Sequence, residues 1–291
     1  AKGVHPELDP ARLAGPASPL AGRPVRESRD SAEHPNSLPI AVIFDVTGSM
    51  GDIPMTLQKK LPTLMDVIIE KAGVEHPQVL VGAVGDSKSD RFPLQVGHFE
   101  SDNRFDEQLR NIIIERGGGG QVMESYALAY RFAADHTATD SFERRGKKGY
   151  LFTMGDEAPW PSVTRADVKR LFGVNAETDE SIESLLARAQ EKWEIFHLCA
   201  MDGSYPHDQD IHGVWERLLG ERYLKVADSS MICEVIAGIV HMIEGAHDLR
   251  STLRDIGLKG RAASTVANAL GPLASVLPVG HGAGASGLHS I

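Results

Sequence analysis

From Pro39 onward the chain alternates short apolar runs with stretches of helical period. Residues 40–45 (IAVIFD) are apolar up to the final aspartate with no polar alternation, which predicts a strand covered on both faces. Leu57, Leu61, Leu64, Ile68 and Ala72 then recur at helical spacing, with Pro54 near the start where its missing N–H costs nothing. Pro62 lies further in and is expected to kink that helix. Residues 79–86 read as a second strand and 93–99 as a third, joined by a connection short enough for an antiparallel pair. Helices are predicted around 102–114 and 122–134, on either side of the glycine run Gly117 to Gly120. A strand at 149–157 (GYLFTMGDE) repeats the opening theme, an apolar run ending in an aspartate, Asp156. Helices near 165–172 and 180–192, a strand at 193–201, a helix near 211–219, a short strand at 223–228 and an apolar helix at 230–243 complete the pattern. Strands alternating with helices imply an α/β fold with a mostly parallel sheet and helices on both faces.

The ends of the chain lack this pattern. Residues 1–38 are rich in Pro, Gly, Ala, Ser and charge with no sustained apolar period, so they are expected to form a disordered or extended arm, either a linker or a segment that lies on a partner. Residues 39–246 make up the expected domain, and 247–291 a partly helical tail ending in the glycine-rich VGHGAGASGLHSI. No internal repeat of fixed period is visible. Forty acidic against thirty basic residues leave a formal charge of −10, which supplies no broad positive field for a phosphate backbone and argues against nucleic acid as a partner. The two cysteines, Cys199 and Cys233, sit in apolar stretches and read as reduced core thiols. The longest apolar segment, 231–243, contains Glu234 and His241 and is too short to span a bilayer. With no secretory leader pattern at the start of the chain, the expectation is a cytoplasmic protein without a membrane partner.

Chemistry concentrates where the first strand gives way to a helix, in Asp45-Val46-Thr47-Gly48-Ser49-Met50-Gly51. Three oxygen-bearing side chains at alternate positions can cap a helix, hold a metal or activate a nucleophile. In an open α/β sheet ligands bind beyond the carboxyl ends of the strands, and Asp45 and Asp156 both fall at such ends. If the two strands are neighbours, their carboxylates and the hydroxyls of Thr47 and Ser49 converge on one oxygen-only site, suited to magnesium, manganese or calcium rather than zinc. Gly48 permits the tight approach this requires, and the glycine loop, with Gly119 and Gly120, can close over the site. Asp86, at the end of the second strand, lines the rim together with Ser87 and Asp90, unless that segment is only a solvated turn. Trp160 forms an apolar wall of the face or packs on its own domain.

Asp45-x-Thr47-x-Ser49 after an apolar strand and before a helix resembles the metal-ion-dependent adhesion site of von Willebrand factor type A domains, whose usual pattern is Asp-x-Ser/Thr-x-Ser. The resemblance extends to Asp156 after LFTMG and to the order of elements over about two thirds of the chain. It implies a Rossmann-like domain with a six-stranded, mostly parallel sheet and one antiparallel edge strand. It also implies that Thr47 and Ser49 bind a divalent cation directly, Mg2+ before Mn2+ or Ca2+, with Asp45 and Asp156 acting directly or through water. The family normally supplies one more threonine after the middle glycine loop. Here the loop reads GGGGQVMES, so Gln121 stands at that position and Ser125 offers an alternative oxygen one turn on. The function implied is protein recognition, with a glutamate or aspartate of the partner completing the coordination. The resemblance further suggests an intracellular bacterial adaptor working beside an AAA+ ATPase or inside a larger assembly.

Other readings compete for the same residues. Asp, Thr and Ser ahead of a helix are common caps, and glycine runs are common turns. A serine hydrolase would use Ser49 as its nucleophile, with His197, His207, His212 or His241 as base, but the elbow Gly-x-Ser-x-Gly lacks its first glycine, because Thr47 stands there. An aspartyl phosphatase wants a second acid at position 47, and no Gly-Lys-Ser/Thr follows the glycine run as a nucleotide cradle would need. The expectation is therefore a binding module and not an enzyme.

Overall fold

The computed structural model describes residues 3–102, 104–117, 120, 122–245 and 248–277. Its centre is a six-stranded sheet: β1 (Leu38–Asp45), β2 (Pro77–Val84), β3 (Leu94–Val96), β4 (Gly149–Gly155), β5 (Trp193–Ala200) and β6 (Tyr223–Val226). The order across the sheet is β6-β5-β4-β1-β2-β3, parallel throughout except for β3, which runs antiparallel to β2 at the edge. Every residue of β1, β2 and β4 is buried, which is why these strands read as continuous apolar runs.

Eleven helices are described: α1 (Ile53–Lys60), α2 (Leu64–Ala72), α3 (Arg104–Asn111), α4 (Tyr126–Asp135), α5 (Asp140–Arg145), α6 (Arg165–Phe172), α7 (Ile182–Gln190), α8 (Gln209–Leu219), α9 (Ile232–Glu244), α10 (Leu249–Asp255) and α11 (Gly260–Val276). Alternate residues of β1 serve two cores. Ile40, Val42 and Phe44 join Leu57, Ile68, Val235 and Ile239 on one face. Ala41 and Ile43 join Tyr130, Leu185 and Trp215 on the other. The break expected at Pro62 is a 3-10 turn, Leu61–Thr63, between α1 and α2.

The amino-terminal segment departs from expectation: it is seated on the domain. Arg26–Ser28 forms a parallel ladder with Thr137–Thr139. Leu8 is fully buried, and its carbonyl accepts the Val96 N–H at 2.9 Å, so the arm covers the open edge of β3. Arg26, only 1% exposed, donates to the carbonyls of Gly97 (2.9 Å), Arg12 (3.0 Å) and Asp9 (2.6 Å). Composition misjudges this segment because a buried guanidinium bonded to main-chain carbonyls, with isolated apolar anchors such as Leu8, attaches it without any sustained apolar period.

The carboxyl-terminal boundary also moves. Ile256, Val266, Leu270 and Leu273 of the α10–α11 region lie in the same core as β1 and α9, so the packed unit continues beyond residue 246. The glycine-rich end, residues 278–291, falls outside the described residues.

Candidate metal centre

Strand pairing builds the site. β1 and β4 are neighbours, with Phe44 opposite Met154, so Asp45 and Asp156 leave the sheet side by side although they are far apart in the chain. The Asp45 carboxylate accepts the Thr47 N–H at 2.7 Å and the Thr47 hydroxyl at 2.6 Å on Oδ1. Thr47 Oγ1 lies 3.2 Å from Ser49 Oγ, and Ser49 Oγ donates to Asp156 Oδ1 at 2.8 Å. The four residues predicted to share a cation thus form one continuous line of oxygens. Capping does not account for them: Thr47 precedes a 3-10 turn, Gly48–Met50, and its side chain makes no cap bond to it. Gly48 is needed for closeness, since its N–H donates to the Gly117 carbonyl at 2.7 Å and a Cβ there would sit 3.1 Å from the same oxygen.

Residues with no distinctive local signal complete the site. Tyr126, at the start of α4, donates its hydroxyl to Asp45 Oδ2 at 2.8 Å. Its ring is fully buried and meets the stacked His197–Trp215 pair edge-on. The Ser204 N–H donates to Asp156 Oδ2 at 2.6 Å, and its hydroxyl to the Ser49 carbonyl at 2.5 Å. Glu157, next to Asp156, and Glu124, just before α4, are also buried here. Asp-Gly at 202–203 is visible as a turn signal, but helical periodicity marks Tyr126 only as a core aromatic.

The electrostatics are those of anions withdrawn from water. Burial pushes the Asp45 carboxyl up to about 7, against the lowering effect of the Thr47 and Tyr126 donors. Burial also raises Asp156, moves Glu157 up to about 7, and moves Glu124 up to about 11 with the Asp45 charge adding to it. Among the described residues no three carboxylates, imidazoles or thiols gather into one cage, so the hydroxyls of Thr47 and Ser49 are essential members of any donor set. Hard oxygens with an uncompensated negative field fit a divalent cation of the magnesium, manganese or calcium type.

The predicted rim is placed in part. Asp86 is buried rather than in a solvated turn, and its Oδ1 accepts the Trp160 indole N–H at 2.9 Å. Asp90 Oδ2 accepts the Asp86 N–H at 2.8 Å. Trp160 is half-buried, with the Lys88 ammonium 5.1 Å from its ring centre. The Ser125 hydroxyl accepts the Ser87 N–H at 2.8 Å. Gly120 takes a left-handed φ of 73°, while Gly119 and Gln121 lie outside the described residues. As for a nucleophile, the Ser49 proton goes to Asp156. His197 Nδ1 faces Thr153 Oγ1 at 2.9 Å, His212 bonds Tyr223 and the Pro206 carbonyl, and His241 bonds Thr252.

No protein-family model matches the sequence, and no curated protein matches it. Solved structures do. The pilus adhesin SpaC from Lactobacillus rhamnosus GG aligns with 75% of this chain and 32% of its own at 10% identity and a TM-score of 0.50. Proximal thread matrix protein 1 from the mussel byssus aligns with 72% of this chain and 48% of its own at 11% identity and a TM-score of 0.46, and one structure of that protein has a zinc-occupied MIDAS motif. An aerotolerance-related membrane protein from Bacteroides fragilis NCTC 9343 aligns with 70% of this chain and 98% of its own at 13% identity and a TM-score of 0.43. The chain therefore spans about half the length of the mussel protein and about a third of the adhesin. The likeness is one of fold: a mixed α/β, von Willebrand A-like arrangement with a six-stranded, mostly parallel sheet flanked by helices.

Proposed function

We propose that the chain is a protein-binding module whose hold on its partner depends on a divalent cation at Asp45, Thr47, Ser49 and Asp156. The observation that carries this reading is the unbroken hydrogen-bonded line from Asp45 through Thr47 and Ser49 to Asp156 at the carboxyl edge of adjacent parallel strands. A bound cation supplies a Lewis-acidic position for an aspartate or glutamate oxygen of the partner. The chain's own residues prepare that position. Tyr126 and the Thr47 N–H hold both oxygens of Asp45, and Ser204 holds Asp156 by the oxygen that Ser49 leaves free. Magnesium is the first choice, with manganese and calcium next, because the donors are all hard oxygens. The resemblance of Asp45-x-Thr47-x-Ser49 to the adhesion-site pattern further suggests a bacterial cytoplasmic module that works beside an AAA+ ATPase or within a multi-subunit assembly.

A serine hydrolase built on Ser49 is the second reading, and the Ser49–Asp156 hydrogen bond weighs against it, because the hydroxyl faces a carboxylate instead of an imidazole. Recovery of partners by affinity capture from a lysate, with and without chelator and with Asp45→Ala as control, tests the binding reading. Loss of the same protein under chelation and in the variant supports it; capture indifferent to both refutes it. Labelling of Ser49 by a fluorophosphonate probe would favour the hydrolase.

A further inference from the structure

The short helix α10 is fixed from its inner side. Thr252 is fully buried with its hydroxyl 3.1 Å from His241 Nδ1, and Ile256 is 1% exposed in the core shared with α9. The outer side is unfinished. Leu249 and Leu253, one turn apart, and Leu258, just past the helix, touch the same core yet stay half-buried. Where α10 gives way to α11 these leucines line a cavity of about 500 Å3. Small-ligand sites usually measure about 300–1,000 Å3 and join an apolar lining to a few placed polar groups.

Here those polar groups are cations. Arg250, Arg254 and Lys259 line the cavity, and among the described residues no carboxylate does. The acids nearby are engaged elsewhere: Asp255 pairs with Arg254 at 2.9 Å, and Asp248 caps α10 by accepting the Ser251 N–H. Arg250 and Lys259 pair with no carboxylate among the described residues. Lys259 also stands at the head of α11, whose first turn holds no acid, so the helix adds to the positive potential. A chain with a net charge of −10 thus carries a local cationic rim around an apolar floor.

We propose that this cavity binds a single acyl chain with an anionic head, a fatty-acid carboxylate, its tail over Leu249, Leu253 and Leu258 and its head at the Arg250 and Lys259 cations. A peptide is the poorer match. The Leu253 and Arg254 carbonyls already accept from the Leu258 and Gly257 N–H groups, so the wall offers no open strand edge, and one compact cavity is no row of successive helix anchors. The site shares no residue with the candidate metal centre, and the proposal does not rest on that reading.

The test is fluorescence titration of the full chain, in chelator, with dansyl-undecanoate, a fatty-acid analogue whose emission rises and shifts to the blue in an apolar site. The wild type is expected to bind one probe per chain. Dodecanoate is expected to displace it, and dodecyltrimethylammonium, equal in tail and opposite in charge, is not. Arg250→Glu/Lys259→Glu, both at exposed positions, is expected to weaken binding at least about tenfold at an unchanged melting temperature. Absence of saturable binding, equal displacement by the cationic amphiphile, or equal affinity in the charge-reversed variant overturns the proposal. So does sedimentation with phosphatidylglycerol vesicles without uptake of the free probe, which would make the patch a membrane-surface contact. The competition between amphiphiles of opposite charge uses the wild-type chain alone, so it decides the matter whether or not the variant folds.

Discussion

Replacing Asp45 by asparagine is expected to stabilise the metal-free protein at neutral pH, the opposite of what removing a well-bonded carboxylate usually does. The Asp45 carboxyl is fully buried and accepts three hydrogen bonds, two from Thr47 and one from Tyr126, yet burial moves its pKa up to about 7. An unfolded aspartate titrates near 3.9. Between these values the folded chain retains a proton that the unfolded chain has released, so the stabilisation is complete below about pH 4 and is lost as pH rises through about 7. From pH 5 to pH 7.5 the loss is about 3 kcal/mol, two pH units below the folded value at about 1.4 kcal/mol each. Glu157, also raised to about 7, adds in the same direction. At about 3 °C per kcal/mol, the wild-type Tm in chelator should fall by about 10 °C over that interval. The introduced asparagine resembles the protonated acid: its oxygen keeps the Thr47 donors, and the Tyr126 hydroxyl turns to accept from its amide. The Asp45→Asn protein should therefore show a shallower pH slope and, in chelator at pH 7.5, a Tm at or above wild type. Magnesium at a hundred times its Kd should return about 2.7 kcal/mol to the wild type and little to the variant. Scanning calorimetry from pH 5 to 7.5, with chelator or magnesium, measures all of this. A wild-type Tm that is flat or rising with pH in chelator, or a variant that melts lower at pH 7.5, would refute the reasoning.

Three further outcomes are expected. Ser49→Ala removes the bridge to Asp156 from a half-buried position, so cation affinity should drop at least about tenfold, or 1.4 kcal/mol, while Tm in chelator stays close to wild type; titration calorimetry and a melt decide it. Gly155→Ala places a Cβ 1.7 Å from the Tyr126 hydroxyl oxygen and should cost about 3 kcal/mol in denaturant unfolding, part of it recovered by adding Tyr126→Phe; additive costs would show that the two residues do not meet. Arg26→Met strips a donor from the carbonyls of Gly97, Arg12 and Asp9 and should cost about 3 kcal/mol, with the segment before Arg26 becoming the earliest site of limited proteolysis. An unchanged cleavage pattern would mean that Arg26 does not anchor the arm.

Much of the fold was legible because burial on both faces writes itself into consecutive positions. Residues 40–45 and 149–155 carry no polar alternation, and the helices between strands keep their period, so their types followed directly. The short helix α5 escaped notice, since six residues in a charged stretch give too few turns for a period to appear. The ends were misjudged for another reason. Arg26 is a surface residue by composition and a buried one by hydrogen bonding, and α10 and α11 find their partners in each other, in α9 and at the edge of β6.

By itself the amino-acid sequence determined the alternation of strands and helices and the spacing Asp45, Thr47, Ser49, because periodicity, turn residues and local donors act within a few positions of the chain. Only the tertiary structure decided that β1 lies against β4, that Tyr126 reaches Asp45 and that Ser204 reaches Asp156. Those contacts join residues many helical turns apart in the chain, and strand order and packing, which depend on the whole core, set them.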